Sequence, residues 1–194
     1  MTASSARARA SLEELGRLRD RGAAVELIDG EIVHRAMARP EHGSAQMKLG
    51  GLLDGFNRGS GGPRGPGGWW LMTEVDVLYE KTDEVFRHDV LGFRRESCPA
   101  RPAGVPVTVR PDWVCEVLSA STARYDLVKK HRTLHRHGVP HYWIVDPEHE
   151  TLTVQRWHAD GYVTAITGAA GDVIRAEPFA AVELDVGELF GHGG

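Results

Sequence analysis

Two acidic residues of this sequence fall on faces that the surrounding pattern predicts to be buried. Asp89 alternates with Leu91 and Phe93, and residues two apart on a strand share a face. Glu116 lies inside Trp113–Leu118, a run that is otherwise apolar on both faces and is typical of a central strand. A buried charge is costly unless it is paired or its pKa shifts, so both acids need partners.

A lysine is predicted to face the same interior. Only four of the 23 basic residues are lysines, and two of them, Lys129 and Lys130, are adjacent. At about 100° per residue in a helix, Lys130 lies roughly 60° from Leu127 and 40° from Leu134. Lys129 points to the opposite side, so we expect Lys130 to face the sheet and Lys129 to face solvent.

Two acids and a lysine that meet in one place are suited to metal-assisted attack on a phosphodiester. The carboxylates hold Mg²⁺, the ion lowers the pKa of a bound water, and the lysine orients that water or offsets charge at phosphorus. Two simpler interpretations remain open. Asp126 lies four residues before Lys130 and can form an ordinary helical ion pair with it. Asp89 can also accept hydrogen bonds from a neighbouring turn.

The elements that position these residues alternate between helical and strand periodicity. A Ser-x-x-Glu capping box at Ser11 begins the first helix, and Asp29-Gly30 between two apolar runs predicts a hairpin. Helices are predicted over 11–21, 41–56 and 122–136, and strands over 24–28, 31–34, 70–80, 85–94, 113–118, 141–146, 151–157 and 162–166. The fold class is therefore α/β, a mixed and mainly antiparallel sheet (α+β mixed sheet) flanked by helices, with one strand–helix–strand unit. Residues 1–10 are predicted to be a flexible N-terminus, residues 59–68 a Gly/Pro-rich loop, and residues 11–194 a single domain.

Composition excludes several classes of protein. A net charge of −4 excludes a uniformly basic nucleic-acid coat protein. Cys98 and Cys115 form no CxxC pair and are expected to be free thiols. Four histidines near the third helix lack the spacing of a zinc hydrolase: His131, His135, His137 and His141. No apolar leader and no membrane span are evident, which predicts a soluble cytoplasmic protein without a membrane partner.

Several stretches together resemble the Uma-type family of restriction-endonuclease-like proteins. They are Glu26–Val33, His42 at the start of the second helix, Glu116–Thr122, Asp126, Lys130 and Gly138–Pro147. The resemblance extends from about Leu12 to Phe190, and the part from Glu116 to Pro147 is the most specific. It implies a restriction-endonuclease-like PD-(D/E)XK fold and a nuclease activity.

The resemblance also implies roles for the acid–lysine set. The strand aspartate of the family falls on Asp89 and its glutamate on Glu116, which would bind Mg (or Mn), and its lysine falls on Lys130. Three positions depart from the usual pattern. Leu118 stands where the standard nuclease motif has lysine, His88 where the family has proline, and Leu134 where it has tyrosine.

Three further residues are candidates for the site. Asp112 follows Pro111 and competes with Asp89 as the motif aspartate, although Asp89 is preferred because the fold takes its two acids from adjacent strands. Glu31 and His42 match family positions near the site and are additional catalytic candidates. A hairpin acid in solvent and a histidine at a helix start explain these two residues equally well.

The leading prediction is a Mg²⁺-dependent endonuclease that hydrolyses DNA, and a homodimer is compatible with cutting both strands of a symmetric site. The alternative is a non-catalytic nucleic-acid-binding or dimerisation module that kept the nuclease fold, which the negative net charge favours. A metal hydrolase acting on a small phosphoester is a third option. Five arginines near the predicted strands could line a nucleic-acid groove: Arg94, Arg95, Arg101, Arg110 and Arg124.

Overall fold

A computed structural model describes residues 9–35, 39–59, 61, 65–119 and 123–192. Most of the predicted flexible N-terminus, part of the Gly/Pro-rich loop and the predicted start of the third helix lie outside this part of the chain. In the described part, no helix is both long and apolar enough to cross a membrane.

The helices begin and end close to the predicted positions. Helix α1 is Leu12–Asp20, α2 is Pro40–Leu53, and α3 is His131–Arg136, with a π-helical segment, Tyr125–Lys130, directly before α3. Ser11 caps α1 by accepting a hydrogen bond from the Glu14 backbone N–H at 3.2 Å. One short 3₁₀ helix follows α2 at Asp54–Phe56, and a second lies near the end of the described chain at Val186–Phe190.

Eight strands of the described chain form one sheet, which is mixed and mainly antiparallel as predicted. They are β1 Val25–Ile28, β2 Glu31–His34, β3 Trp69–Tyr79, β4 Glu84–Arg94, β5 Trp113–Val117, β6 His141–Asp146, β7 Thr151–His158 and β8 Gly161–Ala169. Strands β5 and β6 are parallel and are joined through α3, whereas the other paired neighbours are antiparallel. Two short strands, β9 Val173–Ile174 and β10 Leu184–Asp185, pair separately.

One edge of β4 is shared by two other strands. Strand β3 pairs along the full length of β4 and occupies one edge. On the other edge, β1 pairs at Val85 and β5 pairs at 90–92. Residues 86–89 therefore lie beside a gap between the ends of β1 and β5.

The sheet is covered on both faces. Ala45, Leu49 and Leu53 of α2 pack in one buried cluster with Val90 and Cys115. On the opposite face, Leu134 of α3 packs in a second cluster, which contains Leu91, Phe93, Val114 and Ile144. Charged groups in the gap of β4 are thus enclosed by an apolar layer on each side.

The strand alternation breaks at Asp89. His88 contacts the rings of Tyr79 and Phe86 in the cluster on the α3 face, and Leu91 lies in the same cluster although it is three residues away. Opposite Asp89, Glu74 of β3 has a left-handed backbone (φ 55°), and strain at such a residue marks a local change in strand direction. Asp89 is buried, as predicted, but the prediction that it shares the face of Leu91 and Phe93 is wrong.

The π-helical segment changes the neighbours of Lys130. Lys130 is buried with Leu134, as predicted, whereas Leu127 is 44% exposed. A π-helix turns less per residue than an α-helix because its hydrogen bonds run over five residues. The α-helical angle assumed between Leu127 and Lys130 therefore does not apply.

Candidate active site

Charged side chains bind the backbone groups that the gap in β4 leaves without a strand partner. Glu26 of β1 accepts a hydrogen bond from the Arg87 N–H at 2.6 Å, and Lys130 donates to the Arg87 carbonyl at 3.5 Å. From β4, Asp89 Oδ2 accepts the Val117 N–H of β5 at 2.8 Å. Buried backbone groups require such partners, so the gap itself explains why charges are tolerated here.

Lys130 lies at the centre of what we call the inner lysine cluster, formed by Glu26, Glu116, Asp126 and Lys130. Its Nζ is 3.2 Å from a carboxylate oxygen of Glu26, 3.2 Å from one of Asp126 and 3.5 Å from one of Glu116. All four residues are buried. Burial alone would lower the pKa of Lys130, but the three acids, Glu116 foremost, hold that pKa well above its usual value.

Glu116 has a second buried partner in His88. The Nδ1 atom of His88 is 2.6 Å from Glu116 Oε1, and its Nε2 atom is 2.7 Å from the Tyr79 hydroxyl. Burial, and then the nearby Lys130 charge, holds the pKa of His88 well below its usual value. Burial likewise raises the pKa of Glu116 well above normal, against the opposing effect of Lys130.

A more accessible group surrounds Asp89 on the α2 side, and we call it the outer acid cluster: Arg35, His42, Glu74 and Asp89. Asp89 Oδ1 is 3.3 Å from His42 Nε2 and 3.7 Å from an Arg35 nitrogen, and Arg35 also binds Glu74 at 2.7 Å. Although burial opposes it, the hydrogen bond and charge of His42 lower the pKa of Asp89. The same hydrogen bond raises the pKa of His42, against the smaller effect of its own burial.

The outer acid cluster contains ligands suited to a divalent cation. One ligand atom from each of His42, Glu74 and Asp89 lies within 4.8 Å of the others. Asp89 also binds the backbone N–H of the residue after Glu116, and its charge raises the pKa of Glu116. A donor set of carboxylates and one imidazole fits Mg²⁺ or Mn²⁺.

A cleft of about 560 Å³ leads to this group. Its lining includes His42 and Arg39 at the start of α2, Ser119 after β5, and Leu127 of the π-helical segment. Asp146 and His149 close its far side. The exposed Leu127 therefore lines the approach to His42 rather than packing into the core.

Two of the other candidates lie apart from Lys130. Glu31 is half-exposed and binds Lys129 Nζ at 2.7 Å. Asp112 accepts hydrogen bonds from the Arg94 N–H at 2.8 Å and the Ser97 hydroxyl at 3.1 Å. It precedes β5, about 13 Å from Glu116 at ordinary strand spacing.

The histidines near α3 contact aromatic rings. His135 stacks on Trp157 with centroids 5.6 Å apart, and His131 packs edge-on to Tyr162 at 5.0 Å. The arginines at the end of β4 do likewise: Arg94 lies over Trp69, and Arg95 lies over Trp70. These side chains cover aromatic surface at the ends of the sheet.

Sequence reasoning missed three charged neighbours of the site: Glu26, Arg35 and Glu74. Glu26 lies between apolar residues in β1. An acid within an apolar strand indicates a buried carboxylate that needs a charged or hydrogen-bonding partner, so this residue could have been found from the sequence. Glu74 looks like an ordinary solvent-facing strand residue. Its role depends on the opposite Asp89 and on a local backbone angle, and neither is visible in the sequence.

Comparisons with known proteins identify the family and the fold. The model of a protein family described as "Uma2: Putative restriction endonuclease" matches residues 12–187. A crystal structure of a protein from Anabaena variabilis, described as a putative nuclease belonging to DUF820, has a TM-score of 0.68 and 20% identity. The match covers 93% of this chain and 97% of that one, and it shows a restriction-endonuclease-like fold. No curated protein matches the chain.

Proposed function

The chain belongs to the Uma2 family of putative restriction endonucleases, and from this premise we propose that it is a metal-dependent endonuclease that hydrolyses DNA phosphodiester bonds. The observation that carries the proposal is the placement of Asp89, Glu116 and Lys130 around one gap in the sheet. Asp89 binds His42, and His42 lines an open cleft. Buried charged groups close to a cleft are typical of a reactive site.

We propose that Asp89 and Glu116 hold the cation, which is Mg²⁺ or Mn²⁺, and that His42 and Glu74 flank it. When bound, the cation polarises the phosphate and lowers the pKa of an attacking water. His42 lines the cleft, so its imidazole is the first of these side chains that an entering phosphate meets. Arg35 already neutralises part of the negative charge on Glu74 and Asp89.

Lys130 has a separate role, because the residue is only 4% exposed and three acids share its ammonium group. Its charge opposes the rise in the pKa of Glu116 that burial and the neighbouring Asp89 cause. We propose that it also provides positive charge behind the phosphate in the transition state, where preorganised charge is most effective.

The test is cleavage of supercoiled and single-stranded DNA with Mg²⁺ or Mn²⁺. Asp89→Asn and Glu116→Gln should each remove cleavage, since both substitutions keep the shape of the side chain and remove the charge. Asp112→Asn is the matched control, because it is the competing aspartate and binds only groups near the other end of β5. Cleavage that survives in Asp89→Asn and disappears in Asp112→Asn would overturn the site assignment.

A non-catalytic nucleic-acid-binding or dimerisation module is the competing proposal. The negative net charge favours it, since contacts to phosphates dominate affinity for DNA. Retention of DNA on the wild-type protein, with no cleavage of any substrate by either cation, would support this alternative.

A further inference from the structure

Both ring nitrogens of His88 have buried partners. Nδ1 lies 2.6 Å from Glu116 Oε1, and Nε2 lies 2.7 Å from the Tyr79 hydroxyl. The imidazole therefore links a proposed metal ligand to a buried phenol.

The chemistry of the two partners determines the direction of these hydrogen bonds. A Glu116 carboxylate that binds a cation is ionised and can only accept, so Nδ1 of His88 carries the proton and donates it. In the neutral ring with its proton on Nδ1, Nε2 is an acceptor, and the Tyr79 hydroxyl donates to it. Tyr79 thereby selects the one neutral tautomer of His88 that can bind the carboxylate.

The position of His88 in the chain links the two proposed metal ligands. Asp89 is the next residue, and its Oδ2 binds the N–H of Val117, the residue after Glu116. The Glu116 carboxylate thus binds His88, the residue before Asp89. The backbone N–H after Glu116 binds Asp89 itself. The two contacts together connect the segments of β4 and β5 that carry the two acids.

We propose that His88 is a positioning residue, which donates its Nδ1–H to Glu116 and holds that carboxylate in the geometry that the cation requires. This inference rests on the proposed function, since it assumes that Glu116 binds the metal. Removal of a partner that orients a metal ligand commonly lowers metal affinity by about 10- to 100-fold.

Two substitutions of His88 separate positioning from packing. The amide nitrogen of His88→Asn falls where Nδ1 lies and can still donate to Glu116. The amide of His88→Gln falls nearer Nε2 and can reach only the Tyr79 side. We expect Mn²⁺ affinity, measured by isothermal titration calorimetry, to fall by about 10- to 100-fold in His88→Gln and much less in His88→Asn.

A second pair of variants tests the role of Tyr79. Tyr79→Phe removes the group that selects the tautomer, and we expect a smaller loss of Mn²⁺ affinity than in His88→Gln. Tyr142→Phe is the matched control, since Tyr142 lies in the same apolar cluster and donates to the Asp126 carbonyl instead. It should leave Mn²⁺ affinity unchanged.

The outcomes distinguish the two proposals. If the folded wild-type protein binds neither Mn²⁺ nor Mg²⁺, both the metal-dependent function and the role of His88 are overturned. If the wild type binds Mn²⁺ and His88→Gln binds it equally well, only the role of His88 is overturned. Equal losses in His88→Asn and His88→Gln, with equal drops in melting temperature, would also overturn it, because that pattern indicates packing alone.

Discussion

The outer acid cluster and the inner lysine cluster are neighbours in the chain and differ sharply in their surroundings. His88 contacts the inner cluster, and the next residue, Asp89, belongs to the outer one. The side chains of Lys130 and Glu116 are 5% and 2% exposed. That of Asp89 is also buried, at 7%, but its partners His42, Arg35 and Glu74 are 14%, 22% and 43% exposed. One peptide step thus separates a cluster that is buried throughout from one whose outer members reach solvent.

The difference indicates a division of labour. Charged groups that are buried away from water are stabilised mainly by each other. Removing one member of the inner cluster, which has three acids and one lysine, should therefore destabilise the fold. Charges near water can exchange partners at lower cost, so the outer cluster can release Arg35 and accept a cation or phosphate. We therefore expect substitutions in the outer cluster to alter mainly binding, and substitutions in the inner cluster to lower stability as well.

The largest expected effect is that of Lys130→Met. It leaves Glu26, Glu116 and Asp126 buried without their shared cation, and breaking a buried pair in this way costs about 3–5 kcal/mol. Urea unfolding followed by circular dichroism measures the change. Lys129→Met is the matched control. Lys129 pairs with half-exposed Glu31, so its loss should cost less than about 1 kcal/mol. Equal losses in the two variants would remove the distinction between the clusters.

Asp89→Asn should have a smaller effect on stability and a large one on metal binding. The amide keeps an acceptor for the Val117 N–H but loses the charge. A hydrogen bond to a charged group usually contributes about 1.5–3 kcal/mol, so the free energy of unfolding should fall by no more than this. Unfolding in EDTA measures the first effect, and Mn²⁺ titration measures the second. A loss of stability larger than that of Lys130→Met would show that Asp89 is mainly a structural residue.

The pH dependence of stability should be different for His42→Gln and the wild type. Because Asp89 raises the pKa of His42 in the folded protein, the charged imidazole stabilises the fold below the unfolded pKa, about 6.5. That contribution is lost as pH rises through the raised folded pKa. In metal-free protein, the wild type should therefore exceed His42→Gln in stability by more at about pH 5.5 than at about pH 9. A difference that grows with pH would contradict the ion pair.

Glu31→Gln should have the smallest effect of the four. Glu31 pairs with Lys129 across a partly exposed surface, and such pairs contribute about 0–1 kcal/mol. We expect DNA cleavage to continue at close to the wild-type rate and the urea midpoint to change little. A loss of cleavage comparable to that of Asp89→Asn would instead place Glu31 in the catalytic machinery.

Much of the fold was predictable because its signals are local. The capping box at Ser11, the Asp29-Gly30 hairpin and the apolar run of β5 each specify a conformation through residues that are close in sequence. The burial of Lys130 was predictable for the same reason, since its helical spacing from Leu134 holds in α3. The family resemblance was also carried by short motifs at fixed spacing.

Periodicity failed where the backbone departs from regular geometry. The face of Asp89 was wrong because the left-handed Glu74 lies opposite it in β3, and the neighbourhood of Leu127 was wrong because the helix begins with a π-helical segment. Both irregularities lie at the candidate site. They bring Asp89 towards His42 and leave Leu127 on the wall of the cleft.

By itself, the sequence determined the fold class, the family and the chemical types that the site contains, because periodicity, turn residues and motif spacing act over short stretches of chain. Only the tertiary structure decided which charges meet. Glu26 and Glu116 reach Lys130 because β1 and β5 end on the same edge of β4, and Glu74 reaches the neighbourhood of Asp89 because β3 pairs along the other edge. Such contacts join residues up to 104 positions apart, from Glu26 to Lys130, and no local pattern in one sequence specifies them.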